Sequence, residues 1–138
     1  MAVTVVGRLR TDESGASVQV HPRDESFNWW PQAGQVLLLI ARYPVGVTAV
    51  GPPGWACAAH QDRVLWTGRE VAVSLWWLQL TKDYDGWFWG TGTWLSQFEL
   101  PTVHFSSACA AELDFAALED VRLPITVDTG TAIATIKS

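Results

Sequence analysis

Hydrophobic positions in this chain come in short blocks, separated by polar, Gly- and Pro-rich clusters that recur roughly every 8–15 residues. Those clusters are Asp12-Glu13-Ser14-Gly15, Pro31 to Gly34, Gly51-Pro52-Pro53-Gly54, Thr67-Gly68, Asp85-Gly86, Gly90-Thr91-Gly92 and Asp128-Thr129-Gly130. Val3 to Leu9 and Ser17 to His21 flank the first cluster and predict an N-terminal hairpin. Val36 to Ala41 is apolar at every position, which predicts a central strand covered on both faces. Glu70 to Leu80 is the longest strand candidate. One side carries Val71, Val73, Leu75 and Trp77, and the other carries Ala72, Ser74, Trp76, Leu78 and Leu80. Lys82 to Gly86 then predicts a hairpin turn into Trp87-Phe88-Trp89, because Asp-Gly supplies the positive φ of such turns. Trp94, Ser96, Phe98 and Leu100 alternate with Thr93, Leu95, Gln97 and Glu99, as in a half-buried strand that Val103 to Phe105 would continue. Only Ala108 to Leu118 has helical spacing, with Ala111, Phe115 and Leu118 on one side and Leu113 beside them. Ile125 to Val127 and Ala132 to Ile136 read as two last strands around Asp128-Thr129-Gly130.

Strands without interleaved long helices predict an all-β fold of two packed antiparallel sheets, a β-sandwich or jelly roll, with at most one short helix near 108–118. A chain of 138 residues is long enough for one real core, so residues 1–138 are expected to form one domain. The end segments 1–22 and 123–138 are candidates for strand exchange with a neighbouring copy. Apolar residues make up 49% and charged residues 17%, the opposite of a disordered composition. A net charge of −5 disfavours nucleic acid as a partner, since phosphate neutralisation leans on Lys and Arg. Residues 1–12 lack a basic start and a signal-type apolar run, and the longest apolar run, Val36 to Ala41, is far below the roughly 20 residues needed to span a bilayer. The expectation is a protein made in a cytoplasm and not inserted in a membrane. Cys57 and Cys109 allow one disulfide without requiring it.

Catalytic signatures are missing: there is no GxSxG, HExxH, CxxC or Gly-rich loop with Lys. His21, His60 and His104 fall in three segments. Cys57 with His60 is the one close pair, too few ligands for zinc. The acids are spread as solvated loop pairs, and Asp83-Tyr84-Asp85-Gly86 lacks the later ligands of a calcium loop. The expectation is therefore no enzyme, no cofactor and no metal. What stands out is nine Trp, all between positions 29 and 94. Most would fill the core. Adjacent Trp76 and Trp77 must face opposite ways. Trp29 and Trp30 precede Pro31 in a connection where at least one indole should be exposed. Trp87 and Trp89 share one side after the turn that holds Tyr84. These five, Trp29, Trp30, Tyr84, Trp87 and Trp89, are the candidates for contact with a ligand or a neighbouring subunit, because indoles serve as interface anchors and stack on sugar rings.

Gly34 to about Leu100 also resembles a known family. The order Gly34-Gln35-Val36-Leu37-Leu38-Leu39-Ile40, then Pro52-Pro53-Gly54-Trp55, then Val71 to Leu80 and a Trp-rich hairpin is similar to β-sandwich modules in tail and other virion proteins of phages that infect actinobacteria. Here no residue separates Pro53 from Gly54, and Trp29-Trp30 and the segment after Phe105 fall outside the pattern. The resemblance covers about half the chain and carries no catalytic residue. It implies a non-enzymatic virion protein of the tail or tail tip, assembled in the host cytoplasm, with a structural or host-attachment role. Its expected partners are other copies of itself, neighbouring virion proteins and a host cell-surface glycan. The alternative is a stand-alone Trp-rich carbohydrate-binding module, with a small glycan hydrolase as a third reading.

Overall fold

The computed structural model describes residues 4–22, 27–89, 92–94 and 98–121, with 87–89 and 92–94 described by their backbone alone. The fold is all-β and antiparallel. The strands are β1 (Thr4–Gln19), β2 (Asn28–Trp29), β3 (Val36–Tyr43), β4 (Ala49–Val50), β5 (Ala56–Trp66), β6 (Arg69–Gln79), β7 (Trp87–Trp89), β8 (Gly92–Trp94) and β9 (Thr102–Glu119). Among the described residues, a large sheet has the order β1-β9-β3-β6-β5, with β4 also on β9, and a small sheet has the order β2-β7-β8.

The apolar run places β3 as expected. All eight of its residues are buried, and it lies between β9 and β6. The two sides of β6 also sort as its alternation predicts. Ala72, Trp76 and Leu80 enter one apolar cluster, and Val71, Val73 and Leu75 enter another.

Several expectations are corrected. The helix near 108–118 is strand: that segment is the second half of β9, which pairs with β1 and with β3. Leu113, Phe115 and Ala117 face one cluster while Ala116 and Leu118 face the other, so period 2 governs where a period of 3.6 was equally compatible. The N-terminal hairpin is also absent. Asp12-Glu13-Ser14-Gly15 lies inside the continuous strand β1, opposite Glu112, Ala111, Ala110 and Cys109. At this sheet edge a polar stretch faces water without leaving the ladder, and tertiary pairing overrides turn propensity. Asp85-Gly86 does bend the chain, with Gly86 at φ +94, but it joins no hairpin, because β6 lies in the large sheet and β7 pairs with β2 and β8. The expected strands Ile125 to Val127 and Ala132 to Ile136, the turn between them and the whole 123–138 arm lie outside the described residues.

The large sheet has two unlike faces. The first carries Leu9, Leu37, Leu39, Ala41, Leu113, Phe115 and Ala117, and Trp29 of β2 packs into the same cluster. Trp29 makes that contact: it is 2% exposed, edge-on to Phe115 and to Phe98 with ring centroids 5.4 Å from each. Gly7 permits the approach, since a Cβ there would lie 2.8 Å from Trp29 Cβ. The second face starts apolar, with Leu38, Ile40, Val73 and Leu75, and then turns ionic. There Arg42 Nη1 donates to Asp114 Oδ2 at 2.6 Å and to Glu112 Oε1 at 2.9 Å. Arg8 and Arg10 of β1 reach the same two carboxylates at 3.0–3.4 Å. Arg42 and Asp114 side chains are each 1% exposed. Removing charges of that kind from water costs several kcal/mol per ion, which only close pairing offsets.

Candidate functional site

On the first face, at the far end of β3 from Trp29, the β3–β4 connection arches over β5 and β6 and leaves a groove of about 660 Å³. Val45 to Ala49 form one wall. Cys57, His60, Asp62 and Arg63 of β5 form the other, and Tyr43, Ala72, Ser74 and Trp76 lie between. Gly51, just after β4, lets the chain close onto Trp76, because a Cβ there would sit 2.5 Å from the indole Nε1.

A chain of hydrogen bonds runs along the groove. Tyr43 Oη lies 2.7 Å from Ser74 Oγ, Ser74 Oγ lies 2.8 Å from His60 Nδ1, and His60 Nε2 lies 2.7 Å from Asp62 Oδ1. One proton arrangement satisfies every member with a neutral imidazole. Tyr43 donates to Ser74, Ser74 donates to Nδ1, and Nε2–H donates to Asp62. Burial pushes the Tyr43 phenol above its ordinary pKa, an effect that the Ser74 hydrogen bond partly offsets.

Strand pairing builds this row. His60 and Asp62 are two apart on β5, hence on one side, and His60 is paired with Ser74 of β6. In the sequence His60 is paired only with Cys57; the His60-x-Asp62 step is the signal that could have pointed here, and its Ser74 partner was hidden because the β5–β6 register is shifted between Cys57 and Ala59 and again between Gln61 and Val64.

The trio Ser74, His60 and Asp62 has the side chains of a nucleophilic relay but not its setting. Ser74 is 4% exposed in the middle of β6, and Asp62 is 87% exposed at the outer end. A hydrolytic serine sits on an exposed turn, with free backbone N–H groups beside it for the oxyanion. Here β6 runs between β3 and β5, whose ladders engage its backbone. What the arrangement can do is hold a rigid row of hydroxyl, imidazole and carboxylate groups along a concave wall next to an indole.

The residues singled out in the sequence gather at the opposite end of the sheet. The Trp29 ring is buried in the core, and its Nε1–H donates to Gln35 Oε1 at 2.9 Å. Gln35, itself buried, also accepts from Gln32 N–H and donates to the Trp30 carbonyl, which fixes the Trp29-Trp30-Pro31 bend. Trp30 is 54% exposed. Tyr84 joins it through its backbone N–H, which donates to Pro31 O at 3.2 Å. The Tyr84 ring is half-buried against Phe98, with the Lys82 ammonium 4.9 Å from its centre. Trp87 and Trp89 lie on β7 beside β2, and their side chains fall outside the described residues. Cys57 and Cys109 are both free thiols. Among the described residues no three His, Cys, Asp or Glu side chains gather as a metal site.

No family model matches the sequence, and no curated protein or solved structure matches it significantly.

Proposed function

We propose that the protein is a non-enzymatic virion component of a phage tail or tail tip with a role in host attachment, and that it holds a cell-surface glycan in the groove between the β3–β4 connection and β5–β6. The groove carries this reading. It is concave, about 660 Å³, and combines a fixed polar row (Ser74, His60, Asp62) with aromatic side chains (Tyr43, Trp76), the mix that orients a sugar ring. The exposed indole of Trp30 at the other end offers a second contact. The setting of Ser74 inside a paired strand favours binding over hydrolysis. The virion placement rests on the resemblance of Gly34 to Leu100 to tail modules. The sandwich or jelly-roll arrangement of such modules is supported by Trp29, which brings the small sheet onto Phe115. Exposed Leu65 on the edge strand β5 supports a neighbouring copy as partner.

The test is a tryptophan-fluorescence titration of the purified protein with solubilised cell-envelope polysaccharides from several actinobacteria. A saturable change that His60→Ala abolishes supports the groove. A change lost only in Trp30→Ala moves the site to the aromatic end. A flat response across the panel sinks glycan binding. Mass spectrometry of purified particles of the encoding phage separates a virion component from the alternative, a free carbohydrate-binding module, which would use the same groove but be missing from particles.

A further inference from the structure

The two edges of the large sheet are unlike. The order β1-β9-β3-β6-β5 leaves β1 and β5 each paired on one side only among the described residues. β5 is interrupted by register shifts between Cys57 and Ala59 and between Gln61 and Val64. Such bulges turn an edge away from ladder pairing and leave β5 its side chains for contact. On β1 the shifts fall between Val5 and Gly7 and between Gly15 and Ser17, so residues 7–15 form one regular run with Thr11 at its middle. Among the described residues, no backbone hydrogen bond other than the ladder to β9 reaches that run.

Charge divides the run in two. Arg8 and Arg10 precede Thr11, and Asp12 and Glu13 follow it. Arg10 already meets Glu112 and Asp114, and Glu13 meets His21. Asp12 is exposed, has no ion pair among the described residues, and stands opposite Glu112 of β9. Like charges directly opposite are unfavourable, and a cation on the open side of Asp12 would relieve them.

A second copy supplies that cation. An edge that pairs with itself in antiparallel fashion does so about a two-fold axis. The axis must pass through a residue rather than between two, because outward-facing residues alternate along a strand and only outward ones can meet. About Thr11, Arg10 falls opposite Asp12 of the second copy, Arg8 opposite Ser14, and Leu9 opposite Glu13. An axis through Arg10 or Asp12 would set like charges face to face.

We propose that two copies of this chain join through residues 7–15 of β1, antiparallel about Thr11, in one continuous sheet. This gives the neighbouring copy of the functional reading above a definite place, yet it stands on β1 alone. A monomer would overturn it and leave glycan binding to its own titration.

The experiment is sedimentation equilibrium of the full chain over a range of protein and salt concentrations. The expected result is a monomer–dimer equilibrium that salt weakens. Asp12→Arg sets cation against cation at two symmetric places and should weaken the dimer roughly tenfold, with circular dichroism and Tm undiminished because the new charge faces Glu112. Exposed Ser14 tests the register: Ser14→Asp should tighten the dimer about fivefold, and Ser14→Arg should weaken it by a similar factor. If Asp12→Arg does not fold, the two Ser14 variants still decide. A chain that stays monomeric up to its solubility limit overturns the proposal. So does a dimer that ignores all three variants, or one that only Leu65→Arg dissociates, which moves the contact to β5.

Discussion

The two faces of the large sheet are made by the same strands and reach burial by different physics. On the first face, Leu9, Leu39 and Phe115 share one apolar cluster with Trp29 of the small sheet. On the second, the residues next to them in sequence, Arg8, Arg10, Ile40, Arg42 and Asp114, alternate between hydrocarbon and charge. The apolar face gains from any removal of surface from water and is tolerant in detail. The ionic face gains only while each charge keeps its partner, and it is tied to one register of β1 on β9 on β3. One face gives cohesion. The other makes a one-residue slip costly, because a slip would carry Arg42 and Asp114 to the apolar side.

That contrast can be tested by substitution. Trp29→Ala empties the junction between the sheets and should cost about 3–5 kcal/mol in urea unfolding. A loss below 1 kcal/mol would mean that the small sheet adds little to the core. Asp114→Ala strands Arg42 in a buried place and should cost about 3 kcal/mol, whereas the double change Arg42→Met with Asp114→Leu should recover most of it. If the double variant is as unstable as the single one, the ionic face is worth more than shape and register. Gly7→Ala pushes a methyl group into Trp29 and should cost about 2 kcal/mol by overpacking, with Tm falling accordingly. The smallest effect is confined to alkaline pH. The raised Tyr43 pKa means that above about pH 10 the unfolded chain releases its proton while the folded chain still holds it. Stability present below that pH is thus lost as pH rises toward the folded value. Tyr43→Phe should flatten part of this decline, leaving the part due to the Cys109 thiol, which burial also raises. An unchanged alkaline limb would show that Tyr43 ionises as freely in the fold as outside it.

What was legible in the sequence follows the same division. The apolar run of β3 and the alternation of β6 announced themselves, because burial on both sides leaves little room for other patterns. Turn-like Asp12 to Gly15 and helix-like Ala108 to Leu118 misled for one reason. They pair with each other across about a hundred residues of chain, and local composition carries no trace of a partner so distant. The groove was hidden similarly: His60 was read only beside Cys57, and Asp62, Ser74 and Tyr43 join it only through the local course of β5 and through β5–β6–β3 pairing. Trp29 and Trp30 were seen as a special pair, yet which one turns inward is decided by Gln35, a polar residue that no aromatic pattern singles out.

The pairing of β1 with β9, Thr4 opposite Glu119, also sets the order of events in folding. During synthesis β1 precedes the other described strands and has no ladder until β9 appears, whereas β3 can pair with β6 on one side but has its other edge open until the same strand arrives. The sheet is therefore completed by its last described strand, which pairs with β1 across about a hundred residues of chain. Domains dominated by such contacts fold in milliseconds to seconds rather than microseconds. Until then β1 and β3 present open edges, so the growing chain is most exposed to mispairing just before its architecture becomes possible.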